Sequence, residues 1–325
     1  MRHVKGYNFV LRFWRLLPWA VVWCVLSPQL VPAQETIVVV KSLEAKPYEE
    51  ALQGFKEALS AKGYRPSLSE YTTKEGQRHE ARILSDINRR RPALIVTLGS
   101  AATTLIRDQV QDIPVVFCMV LNPVASGFVR SMQSSGNNLT GASLDIPARL
   151  QFETLKAVLP YVKKIGVLYN PRETGEVVAA AAPAAAEIGI ELMAIPVSSA
   201  EKIQETLESL DKKVDALWSV ADSTVFSSDR SIEFLLRQTL RYRLPFMGLS
   251  PAFAKAGALL ALSVDYRDVG LQCGEQAAQV LAGRAPAALP ITTPRRVTLY
   301  LNLNVARAIG VEIPPSTMAE AVILR

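Results

Sequence analysis

Short, almost entirely apolar segments alternate along the chain with longer segments in which apolar residues recur every three or four positions. The short segments have the composition of strands buried on both faces of a parallel sheet, as in Leu94–Leu98. The longer ones predict helices with one buried face, as shown by Leu52, Phe55 and Leu59. A regular alternation of strand and helix is typical of doubly wound α/β domains, so we expect that fold class here.

The alternation falls into two series of similar size, which predict two Rossmann-like lobes joined by a hinge. The first series has strands at 37–41, 66–71, 94–98 and 115–119 and helices at 48–62, 76–89 and 101–108. The second has helices at 148–159, 176–188, 200–210 and 227–242 and strands at 165–169, 191–195, 216–220 and 245–248. After residue 262 a helix at 268–282, a strand at 297–301 and a helix at 305–309 are too few for a third domain.

The later pieces are therefore expected to return across the hinge and complete both lobes. The predicted first lobe is residues 34–145 with about 264–285, and the second is residues 146–263 with about 290–325. Residues 134–147 between the two series are rich in Gly, Ser, Asn and Pro, which is typical of a crossing between lobes.

Six of the predicted strands end in polar turns, and ligands bind at the carboxyl ends of strands in open α/β sheets. These turns lie within 38–48, 91–103, 116–124, 165–174, 216–225 and 246–253. At 99–103 a Gly-Ser turn opens a helix, whose free N–H groups attract anions and are joined by the hydroxyls of Ser100 and Thr103. The alternative is that Gly99 makes the turn and Ser100 only caps the helix.

The N-terminus has the pattern of a secretory signal. Arg2, Lys5, Arg12 and Arg15 accompany an apolar run at 16–26, and Val-Pro-Ala at 31–33 places small residues at a cut after Ala33. A membrane anchor is the alternative, but Pro18 interrupts the run, which is shorter than the roughly 20 residues that span a bilayer. We expect export to the periplasm and no stable membrane insertion after cleavage.

Charge and chemistry exclude several function classes. Residues 1–33 carry four of the 36 Lys and Arg and none of the 30 Asp and Glu, so the remaining chain is close to neutral, and no nucleic-acid partner is expected. One histidine, His79, remains, without a catalytic triad, metal-spaced cluster or phosphate-binding loop, so we expect no enzyme activity, cofactor or metal. Cys118 and Cys273 could pair in an oxidising compartment, but two buried free thiols are favoured.

Seven short motifs, in order along almost the whole mature chain, resemble one family. They are T-L-G-S-A-A-T (97–103), I-P-V-V-F (113–117), N-P-V-A-S-G (122–127), G-N-N-L-T-G-A-S (136–143), Y-N-P-R-E (169–173), A-D-S-T-V (221–225) and L-N-L-N-V-A-R-A-I-G-V-E-I-P (301–314). The chain resembles the substrate-binding proteins of ABC transporters in the group that binds tryptophan and other aromatic amino acids, with the type I periplasmic binding protein fold.

The resemblance implies a two-lobed receptor that traps a small solute and delivers it to an ABC permease driven by its ATPase subunit. An aromatic or apolar amino acid is the expected ligand, and a monomer the expected state. A periplasmic sensor that presents its closed form to a signalling receptor is the alternative. The chain itself does not separate these two functions, whereas neighbouring genes for a permease and an ATPase would favour the first.

Positions carried over from the family give the candidate ligand-binding residues. They are Ser42, Ser100, Ala101, Thr103 and Asn122 in the first lobe, and Asn170, Glu173, Asp222, Ser223 and Thr224 in the second. Asn122 stands where many members have Asp. Gly175 and Glu176 stand where Asn-Ser is usual, which leaves the specificity for an amino acid open.

Several of these residues have a second interpretation. Asp222 could receive a ligand ammonium or cap the turn beside Ser223, and Glu173 is favoured to face water. Asp265 could reach the hinge or the solute, or cap the helix that follows it. Four aromatic residues near strand ends could form a stacking wall, of which we expect one or two to line the pocket: Tyr169, Trp218, Phe226 and Phe253.

Overall fold

A computed structural model describes residues 36–73, 77–210 and 213–325 of the chain. The predicted signal peptide, residues 1–33, lies outside the described residues. The described strands form two sheets, one of five strands and one of seven, so the α/β two-lobed fold class is confirmed. Within this part of the chain no helix is both long and apolar enough to cross a bilayer.

The first sheet is parallel throughout and has the order β2-β1-β3-β4-β5. Its strands are β1 (Thr36–Lys41), β2 (Ser67–Thr72), β3 (Leu94–Leu98), β4 (Val115–Val120) and β5 (Leu139–Ser143). The connecting helices are α1 (Lys46–Ala61), α2 (Gln77–Arg90) and α3 (Ser100–Gln109). The four predicted strands of this lobe are confirmed, with shifts of one residue at some ends.

The second sheet has the order β12-β11-β10-β9-β8-β6-β7 and is parallel except between β10 and β11. Its strands are β6 (Lys164–Tyr169), β7 (Glu191–Pro196), β8 (Ala216–Trp218), β9 (Phe246–Gly248), β10 (Leu260–Val264), β11 (Val297–Asn302) and β12 (Val322–Leu324). The helices are α4 (Ala148–Val158), α5 (Gly175–Glu187), α6 (Ile203–Ser209), α7 (Asp229–Arg241), α8 (Pro251–Ala256), α9 (Tyr266–Leu281), α10 (Leu303–Ile309) and α11 (Pro315–Ala319).

The predicted crossing at 134–147 is partly wrong, because its middle is strand β5. Its small residues have a packing role: a Cβ on Gly141 would lie 2.0 Å from the carbonyl oxygen of Phe117 on β4. The asparagines before the strand fix the approach, since Asn138 Nδ2 donates to the carbonyl of Ile113 (2.7 Å) and Asn137 Oδ1 accepts from the N–H of Leu139 (2.9 Å). Glycine and asparagine here serve a buried edge strand rather than an exposed linker.

Helix α9 follows a strand of the second sheet but packs into the core of the first. It runs against α1 at a glycine-lined contact, where a Cβ on Gly270 would lie 1.9 Å from the carbonyl oxygen of Ala51. A Cβ on Gly54 would likewise lie 2.0 Å from the carbonyl oxygen of Arg267. The two helix backbones can therefore approach this closely only because both positions are glycine. Helix α9 also packs against β4 and β5 and is buried there.

The expectation of two free thiols is wrong, because Cys118 and Cys273 form a disulfide with their Cα atoms 6.0 Å apart. Cys118 lies on β4 and Cys273 on the buried face of α9, and both are almost completely buried. The sequence separation of 155 residues concealed a pairing that the return of α9 to the first lobe brings about.

The chain crosses between the two sheets three times: after β5, between β10 and α9, and between α9 and β11. Backbone hydrogen bonds join the crossings to their neighbours, from Ser143 to Thr292 (2.8 Å) and from Asp265 to Arg296 (3.2 Å). The capping interpretation of Asp265 is confirmed, since its carboxylate accepts from the N–H of Asp268 (3.0 Å) at the start of α9. Three connections of this kind suit a hinge between two lobes.

Candidate functional site

A cavity of about 570 Å³ lies between the carboxyl ends of β4, β8 and β9 and the inter-lobe crossings. Its apolar lining is formed by Leu121, Pro123, Val124, Ala125, Met132, Leu144, Ile146, Pro147, Ala148, Val177, Ala180, Ala181, Trp218, Val220, Ala221, Met247, Leu249 and Leu262. The size is typical of a small-molecule site, and an apolar lining with few polar groups is the usual composition of such a site.

The polar side chains in the lining are Asn122, Asp145, Gln151, Glu176, Ser219 and Thr293. Two of these are carboxylates, and no lysine, arginine or histidine joins them among the described residues. The cavity therefore offers negative charge and apolar surface. A ligand with a positively charged group and an apolar body complements both.

Asp145 is the half-buried carboxylate of this cavity and lies on the first crossing. Its Oδ2 accepts from the Ser143 hydroxyl (2.7 Å), and both of its oxygens accept from the N–H of Asn122 (2.8 and 3.0 Å). Burial raises the pKa of the Asp145 carboxyl above its ordinary value of 3.8, although these hydrogen bonds lower it. No ion pair to Asp145 is found among the described residues, so its charge is left to solvent or to a ligand.

Asn122 holds the turn after β4 in an unusual conformation. Its φ is 49°, in the left-handed region that asparagine tolerates better than most residues. Met119 has a φ of 62° at the irregular end of the same strand. These two positions turn Leu121 and Asn122 into the cavity lining and aim the N–H of Asn122 at Asp145.

Trp218 forms an aromatic wall of the cavity at the end of β8. Its indole N–H donates to Gln151 Oε1 (2.7 Å), and Gln151 Nε2 in turn donates to the carbonyl of Ile146 (2.7 Å). The ring also packs edge-on against Phe152, with ring centroids 4.9 Å apart. The wall is thereby fixed to α4 and to the first crossing before any ligand arrives.

The other three aromatic candidates are not part of this lining. Phe226 and Phe253 pack edge-on against each other, with centroids 5.3 Å apart, beside the core of the second lobe. Tyr169 packs against the neighbouring core cluster. Of the four, Trp218 alone lines the described cavity.

The second-lobe candidates come together in one hydrogen-bonded cluster beside the cavity. Asp222 is 1% exposed, and its carboxylate accepts from the N–H groups of Asn170 (2.7 Å), Thr224 (3.0 Å) and Val225 (3.1 Å) and from the Thr174 hydroxyl (2.6 Å). This geometry is that of a turn cap that also joins the ends of β6 and β8. A contact from Asp222 to a ligand stays a prediction.

The remaining members of the cluster also bond to one another. Glu173 is exposed, and its carboxylate accepts from the N–H (2.6 Å) and the hydroxyl (2.9 Å) of Ser223. Asn170 Nδ2 donates to Thr224 Oγ1 (2.8 Å). The sequence motifs at 169–173 and 221–225 thus describe two loops that hold each other in place.

The first-lobe candidates lie at the neighbouring ends of β1 and β3. Ser42 Oγ accepts from the N–H of Ala102 (2.9 Å), so it caps the start of α3 from the adjacent loop. Thr103 is fully buried and bonds to Thr97 (2.8 Å) and to the Gly99 carbonyl (2.9 Å). Ser100 and Ala101 are exposed at the turn, where a ligand could reach them.

Among the ten predicted binding residues, Asn122 lines the described cavity and the others lie beside it or at neighbouring strand ends. Asp145, Gln151 and Glu176 were missed. The sequence contains some indication of Asp145, since this carboxylate closely follows the motif at 136–143. A single Asp before Ile-Pro is also typical of an ordinary turn, however, so the pattern did not mark it as a binding residue. In the described residues no group of three metal-ligating side chains is found.

A family model for ABC transporter substrate binding proteins matches residues 36–323. A tyrosine-binding protein of Clostridioides difficile strain R20291 is 24% identical over 285 residues, which cover 86% of this chain and 82% of that protein.

Two solved structures have the same fold. One is the ligand-free, open structure of a substrate-binding protein with adhesive properties from Clostridium difficile, with a TM-score of 0.74, 22% identity and coverage of 90% of this chain and 99% of that one. The other is an ABC domain in complex with L-Trp from Streptococcus pneumonia, with a TM-score of 0.65, 24% identity and coverage of 90% and 100%.

Proposed function

The chain belongs to the ABC transporter substrate-binding protein family, and we propose that its solute is an amino acid with an aromatic or apolar side chain. Members of this family work outside the cytoplasm and pass a small solute to a membrane permease. The observation that carries the proposal is the apolar cavity with Asp145 in its lining and no lysine, arginine or histidine among the described residues that line it. An amino acid supplies both the missing positive charge and an apolar body.

The ammonium group of the ligand binds to Asp145. An ionised carboxylate has about four acceptor positions, and the Asn122 and Ser143 donors leave part of them open toward the cavity. Asp222 is the less suitable acceptor, because four donors already surround its buried carboxylate. Charge-assisted hydrogen bonds in a partly desolvated site are the strong ones, so this contact contributes most of the polar affinity.

The carboxylate of the ligand meets backbone N–H groups. Helix α4 begins at the cavity with Pro147 and Ala148 in the lining, and no side chain caps its first turn. A helix start of this kind attracts anions, and here it lies three residues after the proposed ammonium site. Closure of the lobes brings the exposed turn at Ser100 and Ala101 toward the same ligand. The proposal therefore keeps these two first-lobe residues as ligand-binding residues.

The side chain of the ligand packs on Trp218 and the surrounding apolar wall. Because Gln151 and Phe152 hold the indole in place, stacking on it costs little additional conformational entropy. Leu121 and Val124, which are exposed at the first-lobe side of the cavity, become buried when the solute binds. This apolar burial accounts for a preference for large over small amino acids.

The export route completes the proposal. The signal peptide is removed after Ala33, and the mature protein acts in the periplasm as a monomer that docks on its permease and ATPase complex. The experiment is a thermal-shift screen of the exported protein against amino acids, nucleosides and sugars, since a ligand of the folded state raises Tm by mass action. A shift with tryptophan, tyrosine or phenylalanine supports the proposal, and a shift with sugars or nucleosides alone overturns it.

A further inference from the structure

Glu176 is the second carboxylate in the cavity lining, and the binding contacts described so far do not use it. It lies in the first turn of α5. The residues of this helix that line the cavity are Glu176, Val177, Ala180 and Ala181. Residues at this spacing share one face of a helix, so this face of α5 forms a wall of the cavity. Glu176 is exposed in the ligand-free protein, where a bound solute could reach it.

The carboxylate of Glu176 has no hydrogen bond or ion pair among the described residues. The preceding acid, Glu173, differs in this respect, since it is bonded to Ser223. The nearest cation along the sequence, Arg172, is exposed outside the lining and does not pair with Glu176. The start of α5 has no side-chain cap and favours a negative charge in its first turn. Helix stabilisation alone would explain a glutamate here, but it would not explain its place on the cavity face.

The two charged groups of an amino acid are bound at another part of the lining. They share one Cα atom, and the proposed ammonium acceptor, Asp145, lies three residues before the start of α4, where the carboxylate is bound. Glu176 lies on a different helix, so it meets the part of the solute that remains, which is the side chain. Among the described residues, Asn122 and Thr293 are the other polar side chains of the lining without a hydrogen bond. Both are neutral, and a carboxylate is the stronger acceptor.

The sheet topology places Glu176 next to the aromatic wall of the cavity. Trp218 ends β8, and β8 pairs in parallel with β6, the strand that leads through a short loop into α5. A ring packed on Trp218 therefore lies beside the strand end after which Glu176 follows. The polar group at the edge of an indole ring is an N–H, and that of a phenol ring is an O–H. Both are donors, and both match an acceptor without a partner.

We propose that Glu176 is a specificity-determining residue that accepts a hydrogen bond from the ring of the solute, so that the receptor selects tyrosine and tryptophan over phenylalanine. The inference rests on the proposed function, since it requires an amino acid in the cavity. Closure of the lobes removes water from Glu176, and a phenyl ring offers no donor in exchange. A site that bonds to a polar group of its ligand rejects the analogue without that group for this reason. An apolar cavity without the acceptor favours the reverse order, because phenylalanine has the more apolar ring.

The test is isothermal titration calorimetry of the protein of residues 34–325 with L-tyrosine, L-tryptophan and L-phenylalanine. The wild type should bind tyrosine about ten-fold or more tightly than phenylalanine, the effect of one hydrogen bond to a charged group. Glu176→Leu removes the acceptor and should abolish or reverse this preference. Glu176→Gln keeps a neutral acceptor oxygen and should give an intermediate ratio. The matched control, Glu312→Gln, removes an exposed carboxylate outside the lining and should keep the wild-type ratio.

Equal affinities of the wild type for tyrosine and phenylalanine, or a preference that survives in Glu176→Leu, would overturn the inference. A loss of the same size for all three amino acids in Glu176→Leu would also overturn it, because that result would assign the ligand ammonium to Glu176. The Tm of each variant, measured without ligand, checks that it is folded. Binding of all three amino acids without preference rejects this inference alone, whereas no binding of any amino acid rejects the proposed function and the inference with it.

Discussion

The backbone N–H of Asn122 donates to both carboxylate oxygens of Asp145, at 3.0 and 2.8 Å. This contact joins the turn after β4 to the first inter-lobe crossing at the wall of the cavity. It orients the Asp145 carboxylate without neutralising it, because an N–H group carries no net charge. The arrangement is that of a preorganised acceptor for a ligand cation.

Asp145→Asn should weaken amino-acid binding about 10- to 100-fold, the loss expected when a hydrogen bond to a charged group is replaced by a neutral one. The substitution keeps the size of the side chain and one acceptor oxygen for Asn122. Isothermal titration calorimetry of the exported protein measures the effect. An unchanged dissociation constant would remove Asp145 from the site.

Asp222→Asn is the matched control, since it makes the same chemical change at the predicted alternative acceptor. Asp222 is buried and accepts four hydrogen bonds, so we expect a lower Tm from its loss of charge. Ligand affinity of the remaining folded protein should change much less than in Asp145→Asn. The reverse order of affinities would favour Asp222 as the ammonium acceptor.

The pH dependence of binding should report on Asp145. Its pKa in the folded, empty protein is raised above 3.8 by burial, so it takes up a proton at a higher pH than a solvated aspartate. Affinity for an amino acid should therefore be full above that pKa and fall as pH decreases through it. Glu176 is the other carboxylate in the described lining and must be tested beside it.

Calorimetric titrations across the acidic range, repeated with Asp145→Asn and with Glu176→Gln, separate the two groups. The profile of Glu176→Gln should keep the wild-type fall, and that of Asp145→Asn should lose it. A fall that persists in Asp145→Asn would assign the titration elsewhere.

The stability of the ligand-free protein should show the opposite pH dependence from ligand affinity, because ionisation of Asp145 favours binding but opposes folding. A carboxyl whose folded pKa is raised contributes stability below its unfolded pKa, and the contribution is lost as pH rises through the folded pKa. At neutral pH the ionised Asp145 therefore opposes folding, and Asp145→Asn should keep or raise Tm while it weakens binding. Differential scanning calorimetry measures this, and a clearly lower Tm would contradict it.

Gly270→Ala should destabilise the first lobe by about 1–3 kcal/mol or more, because its methyl group meets the Ala51 carbonyl oxygen and forces α1 and α9 apart. The control is Gly175→Ala at the start of α5, where a Cβ has its nearest neighbour at 4.0 Å. Alanine favours helix over glycine, so that variant should be neutral or slightly more stable. Denaturant unfolding compares the two, and equal free energies of unfolding would refute the close contact.

The disulfide predicts that denatured protein of residues 34–325 contains no free thiol, since Cys118 and Cys273 are the two cysteines of that segment. Thiol titration in denaturant without reductant measures this directly. The variant Cys118→Ala/Cys273→Ala should lose about 2–5 kcal/mol of stability, the usual effect of removing a native disulfide. Two titratable thiols per chain would instead show that Cys118 and Cys273 are unpaired.

Much of the fold could be predicted because strands buried on both faces leave uninterrupted apolar runs, as at 94–98 and 115–119. Strand β5 was missed because its residues, Leu-Thr-Gly-Ala-Ser, have the composition of a loop. Gly141 is required because the Phe117 backbone approaches it closely, and the local sequence does not predict this contact. The disulfide was missed for a related reason, since it depends on where α9 returns.

The candidate site was predicted less completely than the fold. The motifs marked loops that line the cavity or lie beside it, but conspicuous polar residues such as Asp222 and Thr103 hold those loops together. Asp145 and Gln151 line the cavity because the first inter-lobe crossing and α4 pack against the end of β8. These segments are far apart in the sequence, so no local pattern predicts the contact. Sequence patterns identified which strand ends carry polar groups, and packing decided which of them face the cavity.

The most direct test of the proposed receptor is a calorimetric titration of the exported protein with L-tryptophan, L-tyrosine and L-phenylalanine and with their N-acetyl derivatives. Acetylation removes the positive charge of the ammonium and keeps the aromatic body and the carboxylate. We expect a free aromatic amino acid to bind one per chain and its acetylated form to bind at least ten-fold more weakly, as the loss of a charged hydrogen bond requires. Equal binding of the two forms, or no binding of any free amino acid, would contradict the account.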